Sequence, residues 1–335
     1  MTLTVKTGIL PALNGGGEML AILIGLVIGI GLPMQTSINS RLRSALGSPF
    51  LASLVSFGIG TAFLAVMTLI DQRSLLIGMP LLRTQPFWLW LGGLLGVIYL
   101  TGNIMLFPKL GSVQTVIFPV LGQILAGLLI DDLGLFYSPI SQLTVVRGLG
   151  ALLVITGVMI TVAGNGWLER ITGQAGLETV AEETPKVAHL MLWRLFGIFA
   201  GVLSATQTAV NGHLGEVLGS KIQAAYVSFL VGTVTLIVIV LVLRPPLMFQ
   251  RNHGKSPWWM WIGGLLGALF VLGNVYLVPV IGTGFAVIIV LIGLMIGSLL
   301  IDQFGWLSSE KNPVTLLQLG GLLVMIIGVV VIRLL

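Results

Sequence analysis

A chain of 335 residues with 56% apolar and 8% charged residues and a mean hydropathy of +1.08 has too little polar surface for water to wet a soluble fold of that size, so the bilayer is its solvent. Zero cysteines exclude disulfides, a thiolate nucleophile and thiolate metal ligands, and three scattered histidines leave little for an imidazole site, so neither metal nor cofactor is expected. The net charge of +5 suits Lys and Arg in loops facing an anionic leaflet, and no basic run with interleaved aromatics points to nucleic acid.

Residues 1–18 form an N-terminal extension without the small-residue cleavage pattern of a signal peptide, so the first span is expected to stay in the mature protein. A bilayer core of about 30 Å asks about 20 apolar residues of a helix. Five such spans follow in residues 19–163, at Leu20 to Arg41, Phe50 to Ile70, Trp88 to Phe107, Val113 to Ile130 and Leu143 to Ala163. Residues 164–190, with Glu169, Glu178, Glu182, Glu183, Pro185 and Lys186, read as a solvated linker. Five more spans fill residues 191–335, at Leu192 to His213, Ala224 to Leu243, Trp258 to Val278, Gly284 to Ile301 and Leu316 to Leu335.

The two sets of spans carry the same text. Residues Gly31 to Pro49 return at Leu203 to Lys221 with Gln35 over Gln207, Asn39 over Asn211, Gly47 over Gly219 and Ser48 over Ser220, an offset of 172. WLWLGGLLG at Trp88 recurs as WMWIGGLLG at Trp259, and Gly102 with Asn103, Pro108, Gly111 and Asp131 recur as Gly273 with Asn274, Pro279, Gly282 and Asp302, at an offset of 171. Colinear agreement at polar, glycine and proline positions indicates an internal duplication. Because each repeat has an odd number of spans, the second enters the membrane from the opposite side, and the expected fold is an all-α membrane protein of ten helices built as two inverted five-helix repeats. Lys and Arg near the span ends number six on the side of the termini and ten on the other, which favours a cytoplasmic linker.

Five-span halves opening with QTxxN and LGS, then SFxxGT at Ser56 to Thr61 and Ser228 to Thr233, then GGLLG and GN, resemble the YdcZ-like branch of the drug/metabolite transporter superfamily. The resemblance covers nearly the whole chain and looks like a fused form, in which both halves of an antiparallel pair lie in one polypeptide. It implies export or exchange of a small molecule across the bacterial inner membrane, and a monomer is expected because both repeats are fused.

Gln35 and Asn39, and likewise Gln207 and Asn211, stand four apart and share one helix face. Amides in hydrocarbon cost several kcal/mol by order of magnitude, so these faces point at protein or at a wet cavity. Two readings stay open for them, interhelical hydrogen-bond glue and a substrate site across the two repeats. Pro33 is expected to bend the first span near Gln35, with Ala205 as its counterpart. Asn103 and Asn274 precede Pro108 and Pro279 by five residues and either satisfy carbonyls freed by those prolines or line the pathway; the resemblance tips them toward a cavity. Trp88, Trp90, Trp258, Trp259 and Trp261 read as an interfacial aromatic belt, and Gly293 with Gly297, matched by Gly122 and Ala126, as close-packing helix faces.

The small multidrug-resistance relatives carry a membrane-embedded glutamate in the first helix. Here Glu18 precedes the first span and Glu216 follows the sixth, so that role does not carry over. Coupling candidates are therefore Asp131 and Asp302, which end the fourth and ninth spans and read either as helix-end residues at headgroup level or as proton relays, and His213, since histidine is the side chain whose charge ordinarily changes near neutral pH. The absence of buried carboxylates favours a neutral, zwitterionic or anionic solute. With no GxxxxGK[ST] loop and no converging catalytic cluster, the expectation is a secondary transporter rather than an enzyme, working by alternating access. Its partners are then a small-molecule substrate and the lipid bilayer, with no nucleic acid. A membrane scaffold or regulatory subunit is the alternative, and it predicts polar pairs that satisfy one another around no central cavity.

Overall fold

The computed structural model describes residues 16–171, 183–246 and 257–334. They form helices α1 (Gly16–Leu46), α2 (Pro49–Gln72), a short α3 (Met79–Thr84), α4 (Gly92–Leu133), α5 (Val145–Ile171), α6 (Glu183–Leu218), α7 (Lys221–Leu243), α8 (Gly263–Ile281), α9 (Thr283–Phe304) and α10 (Leu316–Leu334). Eight helices are long and apolar enough to cross a membrane. One of them, α4, has 42 residues and is broken at Gly111, where φ is +73° and ψ −179°. That backbone region is open to glycine and closed to most side chains, so the third and fourth spans are joined through one residue. Gly282, at the repeat offset, does the same between α8 and α9 with φ +77°. Counting α4 as two limbs, 92–110 and 112–133, and including α8, whose apolar stretch Gly263–Leu277 is short, the described residues hold ten long helical segments, five in each repeat.

Helix ends depart from the sequence reading where flanking polar residues continue the helix. Glu18 sits in the first turn of α1, and Glu216 belongs to the end of α6. Helices α5 and α6 extend into residues 164–190, reaching Ile171 and starting at Glu183; Glu178 and Glu182 of the expected linker lie outside the described residues, as do Lys6, Arg251 and Lys255 of the charge count. Helix α1 runs as one helix through Pro33, and Gly297 of α9 leaves room for the proline ring, a Cβ there falling 3.0 Å from Pro33 Cγ.

Lipid tails are as apolar as leucine, so helices in a bilayer associate through small residues that let backbones approach. The glycines show where. A Cβ on Gly150 of α5 would meet the Gly328 carbonyl of α10 at 2.8 Å, and one on Gly328 the Gly150 carbonyl at 2.7 Å. Gly157 and Gly321 repeat this exchange at 2.5 and 2.7 Å. Early α5 thus meets late α10 and later α5 meets earlier α10, so these two helices, the fifth of each repeat, run antiparallel. Gly122 closes on the Ile198 carbonyl and Gly293 on that of Leu26, which places the second limb of α4 on α6 and, reciprocally, α9 on α1. Those glycines bring helices together as expected.

Reciprocity extends through the centre. Phe57 and Phe229, equivalent residues of α2 and α7, have ring centroids 5.2 Å apart, and Thr61 Oγ1 lies 2.8 Å from its equivalent, Thr233 Oγ1. Gly60 makes space for the Phe229 ring and Gly232 for that of Phe57. Contacts between equivalent residues are the kind that an isologous dimer interface makes about its twofold axis. The outward faces carry exposed Val27, Ile70, Leu152, Val242 and Leu323, an apolar surface suited to lipid.

Candidate functional site

The three motifs of each repeat meet at the contact between repeats. Asn39 Nδ2 donates to Ser56 Oγ at 3.1 Å, and Asn211 Nδ2 to Ser228 Oγ at 3.1 Å. Each serine carbonyl is in turn overlaid by the second glycine of the other repeat's GGLLG, Gly264 on Ser56 and Gly93 on Ser228. The first glycine of each doublet faces the asparagine: a Cβ at Gly263 would overlap Asn39 Oδ1, and one at Gly92 would overlap Asn211 Oδ1. Neither Oδ1 has a conventional partner, and the glycine Cα–H aimed at each explains the recurrence as a weak C–H···O contact. QTxxN, SFxxGT and GGLLG therefore interlock across the two halves, and each asparagine makes one interhelical hydrogen bond.

The glutamines behave differently. Gly267 lies against Gln35, with a Cβ position 2.6 Å from Nε2, and Gly96 lies against Gln207 with the same spacing. Among the described residues neither glutamine amide has a hydrogen-bond partner. Gln35 and Asn39 are buried, whereas Gln207 and Asn211 are half-buried, so the two sides of the centre differ in openness. The four amides thus separate into two clamps and two unpaired donors.

Asn274 Nδ2 donates to Phe270 O one turn back at 2.9 Å, not to the carbonyl that Pro279 frees. The carbonyl freed by Pro108 belongs to Ile104, and it accepts from Arg43 Nη1 of α1 at 3.3 Å; the local-hinge reading of Asn103 gives way to a cross-helix guanidinium. Asn103 is buried with Oδ1 unpartnered, and its amide contacts the Tyr99 hydroxyl. Gln123 Nε2, from the second limb of α4, donates to Ser204 Oγ of α6 at 2.9 Å and approaches the Tyr99 hydroxyl at 3.5 Å. Nothing in the repeated motifs marks Tyr99, Gln123 or Ser204. Their equivalents are Phe270, Leu294 and Leu32, so comparison of repeats hides them; the spacings Tyr99 to Asn103 and Ser204 to Gln207 were the available signal.

The coupling candidates sit at helix ends in three different settings. Asp302 is buried, and its Oδ1 and Oδ2 accept the backbone amides of Ser112 and Val113 at 2.8 Å each. It is a helix-end residue, yet it turns inward to cap the second limb of α4 instead of facing the headgroups. Asp131 pairs with Arg147 Nη2 at 3.4 Å and Arg333 Nη1 at 3.8 Å. His213 lies 3.4 Å from Glu216 Oε2 and stacks on Tyr137, with centroids 4.6 Å apart. Trp88 joins that stack 6.1 Å from both rings. Of the five tryptophans assigned to a belt, Trp258 is 76% exposed, like its equivalent Phe87 at 77%, and suits the interface; the other four are half-buried. Among the described residues no three His, Asp or Glu side chains gather where they could hold a metal ion.

The model of the family described as "Putative inner membrane exporter, YdcZ" matches the chain twice, over residues 20–160 and 192–331. No curated protein matches it. A solved crystal structure is similar at 16% identity, covering 94% of this chain and 97% of its own with a TM-score of 0.53, which shows a shared fold. With two family matches, one per repeat, on a chain of apolar helices, this multi-pass inner membrane protein belongs to the YdcZ family of exporters within the drug/metabolite transporters and is a fused, two-repeat form of it.

Proposed function

We propose that the chain moves a small organic solute out across the inner membrane by alternating access between two inverted repeats, with Gln35 and Gln207 in the pathway. The observation that carries this reading is the pair of unpartnered glutamine amides, each laid on a glycine about one turn into a helix of the opposite repeat, Gln35 on Gly267 of α8 and Gln207 on Gly96 of α4. A donor left unpaired in an apolar interior costs free energy unless a solute or water takes it. Inversion is supported by the antiparallel run of α5 and α10 and by the side-chain links at the two ends of the bundle. At one end Asp71, ending α2, accepts from Ser220, before α7, at 2.6 Å, and Asp131, ending α4, meets Arg147, beginning α5, and Arg333, ending α10. At the other, Asp302, ending α9, meets the start of the second limb of α4. These are the neighbours that alternating helix directions require.

In this reading residues 19–163 and 191–335 are the two moving units, residues 164–190 connect them in the cytoplasm, and one chain suffices because both halves of the site are present. Asn103 and Asn274 flank the pathway, and Asn39 with Asn211 hold the helices that frame it. The chain has no native cysteine, so single cysteines at Ser74 and Ser309 can be labelled from each side of the membrane. Opposite sidedness is expected; labelling of both from one side would overturn the inversion. Once a solute is found by thermal-shift screening of the purified protein, Gln35→Ala and Gln207→Ala are expected to impair its export with the melting temperature unchanged, and unimpaired export would remove both from the pathway.

A further inference from the structure

Equivalent faces of the two repeats have different chemistry. Where the two limbs of α4 meet α6, the polar side chains include Tyr99, Asn103, Gln123, Ser204 and Gln207. Where α8 and α9 meet α1, the same positions hold Phe270, Asn274, Leu294, Leu32 and Gln35. Three of five polar groups are thus present on one side only. They are not a closed network. Gln123 donates to Ser204 and approaches Tyr99, yet Asn103, 6% exposed, keeps Oδ1 without a partner, and Gln207 has none among the described residues. Tyr99, Gln123, Ser204 and Gln207 are each partly exposed, and polar groups within a bilayer face the bundle interior or a water-filled cavity rather than lipid. Gln123 pairs with Ser204 and Asn103 reaches Tyr99, so what this face leaves over for a solute is Asn103 Oδ1 and the Gln207 amide.

We propose that the α4–α6 face is the solute-recognition site, that it takes a small uncharged solute bearing several hydroxyl or amide groups, and that Phe270, Leu294 and Leu32 make the equivalent part of the α1–α8–α9 face apolar. The proposal rests on the export reading and gives it a substrate class. The five residues offer amide N–H and hydroxyl donors with amide and hydroxyl acceptors, and none is a carboxylate, lysine or arginine that would balance an ionic solute. Pre-placed neutral donors and acceptors discriminate strongly for a solute that pairs them all, because a solute lacking those groups leaves them buried and unpaired.

The test uses full-length protein in nanodiscs and three probe sets: uncharged polyhydroxy and amide solutes (xylitol, glucose, uridine, nicotinamide), cations (choline, tetraphenylphosphonium) and anions (benzoate, citrate). Binding is read by thermal shift and titration. The variants Tyr99→Phe, Gln123→Leu and Ser204→Leu install the residues that the equivalent positions already hold, which guards the fold, and Leu323→Ala, on the outward face of α10, is the control. A member of the uncharged set is expected to raise the melting temperature, with its Kd rising about tenfold for each hydrogen bond removed and unchanged in the control. Binding confined to the cationic or anionic set, insensitive to the three variants, would overturn this proposal and leave export standing. No binding from any set would overturn both. Variants that lower the melting temperature while leaving the Kd of an uncharged solute intact would return the face to the role of glue.

Discussion

Asp302, near the end of α9, accepts the backbone amide of Val113 at 2.8 Å, and its other oxygen takes the amide of Ser112 at the same distance. The first turn of any helix leaves amides unpaired, and the reversal at Gly111 creates such a turn inside α4. A carboxylate from the other repeat fills it, where the partial positive charge of the helix start favours an anion. The carboxylate that looked from sequence like a coupling candidate thus ties the two repeats together.

Replacing Asp302 tests that role. Asp302→Asn keeps one acceptor and loses the charge, and Asp302→Ala loses both hydrogen bonds. The expected costs in folding stability are about 1 and about 2–3 kcal/mol, read as graded falls in melting temperature in detergent or nanodiscs. A proton-carrying aspartate would give the reverse pattern, with Asn leaving the melting temperature intact and abolishing any pH-driven flux.

The glycines make a sharper test of packing, since their neighbours are backbone. A Cβ at Gly93 or Gly264 would overlap the carbonyl oxygen of Ser228 or Ser56, whereas one at Gly58 or Gly127 meets nothing within 4 Å. Alanine at the first two is expected to cost about 1–3 kcal/mol through forced separation of helices. At the latter two it should be neutral or gain up to about 1 kcal/mol of helix propensity. Equal melting temperatures for all four variants would refute the interlock of the motifs.

The duplication made much of this legible before any coordinates. Residues aligned at one offset, such as Phe57 with Phe229 and Thr61 with Thr233, turned out to touch each other, because equivalent positions on an axis must meet. The same comparison concealed Tyr99, Gln123 and Ser204, since symmetry draws attention to what is shared and those residues are not. It also paired Asn39 with Gln35 as one site, although the serine partner seventeen residues on that separates them is a tertiary contact without a local signature. The link from Arg43 to the Ile104 carbonyl was hidden for the same reason. A proline announces a freed carbonyl, but not which distant side chain will reach it.

That separation of glutamine from asparagine is itself measurable. Asn39→Ala and Asn211→Ala each remove one interhelical hydrogen bond and are expected to lower stability by about 0.6 kcal/mol, up to about 2. Gln35→Ala and Gln207→Ala remove no bond among the described residues and should leave unfolding unchanged. Each Asn–Ser pair also admits a double-mutant cycle with Ser56→Ala or Ser228→Ala, where a coupling energy near zero would count against the clamp.

Proton coupling supplies the last prediction. Every described carboxylate lies at a helix end or in a loop, with Glu18 in the first turn of α1, Asp71 in the last turn of α2, Asp131 and Asp132 ending α4, Glu169 near the end of α5, Glu183 beginning α6, Glu216 ending α6, Asp302 ending α9 and Glu310 beyond it. None of those whose side chains are described bonds to Gln35 or Gln207 to exchange a proton for a solute. His213, the remaining candidate, is held in a ring stack with Tyr137 and Trp88, and His213→Phe preserves an aromatic ring there while removing the titrating group. In proteoliposomes carrying a solute identified by binding, an imposed pH gradient is expected to leave accumulation at the level reached without one, and His213→Phe to transport like the unaltered protein. Gradient-driven accumulation that vanishes in His213→Phe would assign coupling to the stack. Accumulation that persists there and in Asp131→Asn and Asp302→Asn would place a titrating group elsewhere and defeat the uncoupled reading.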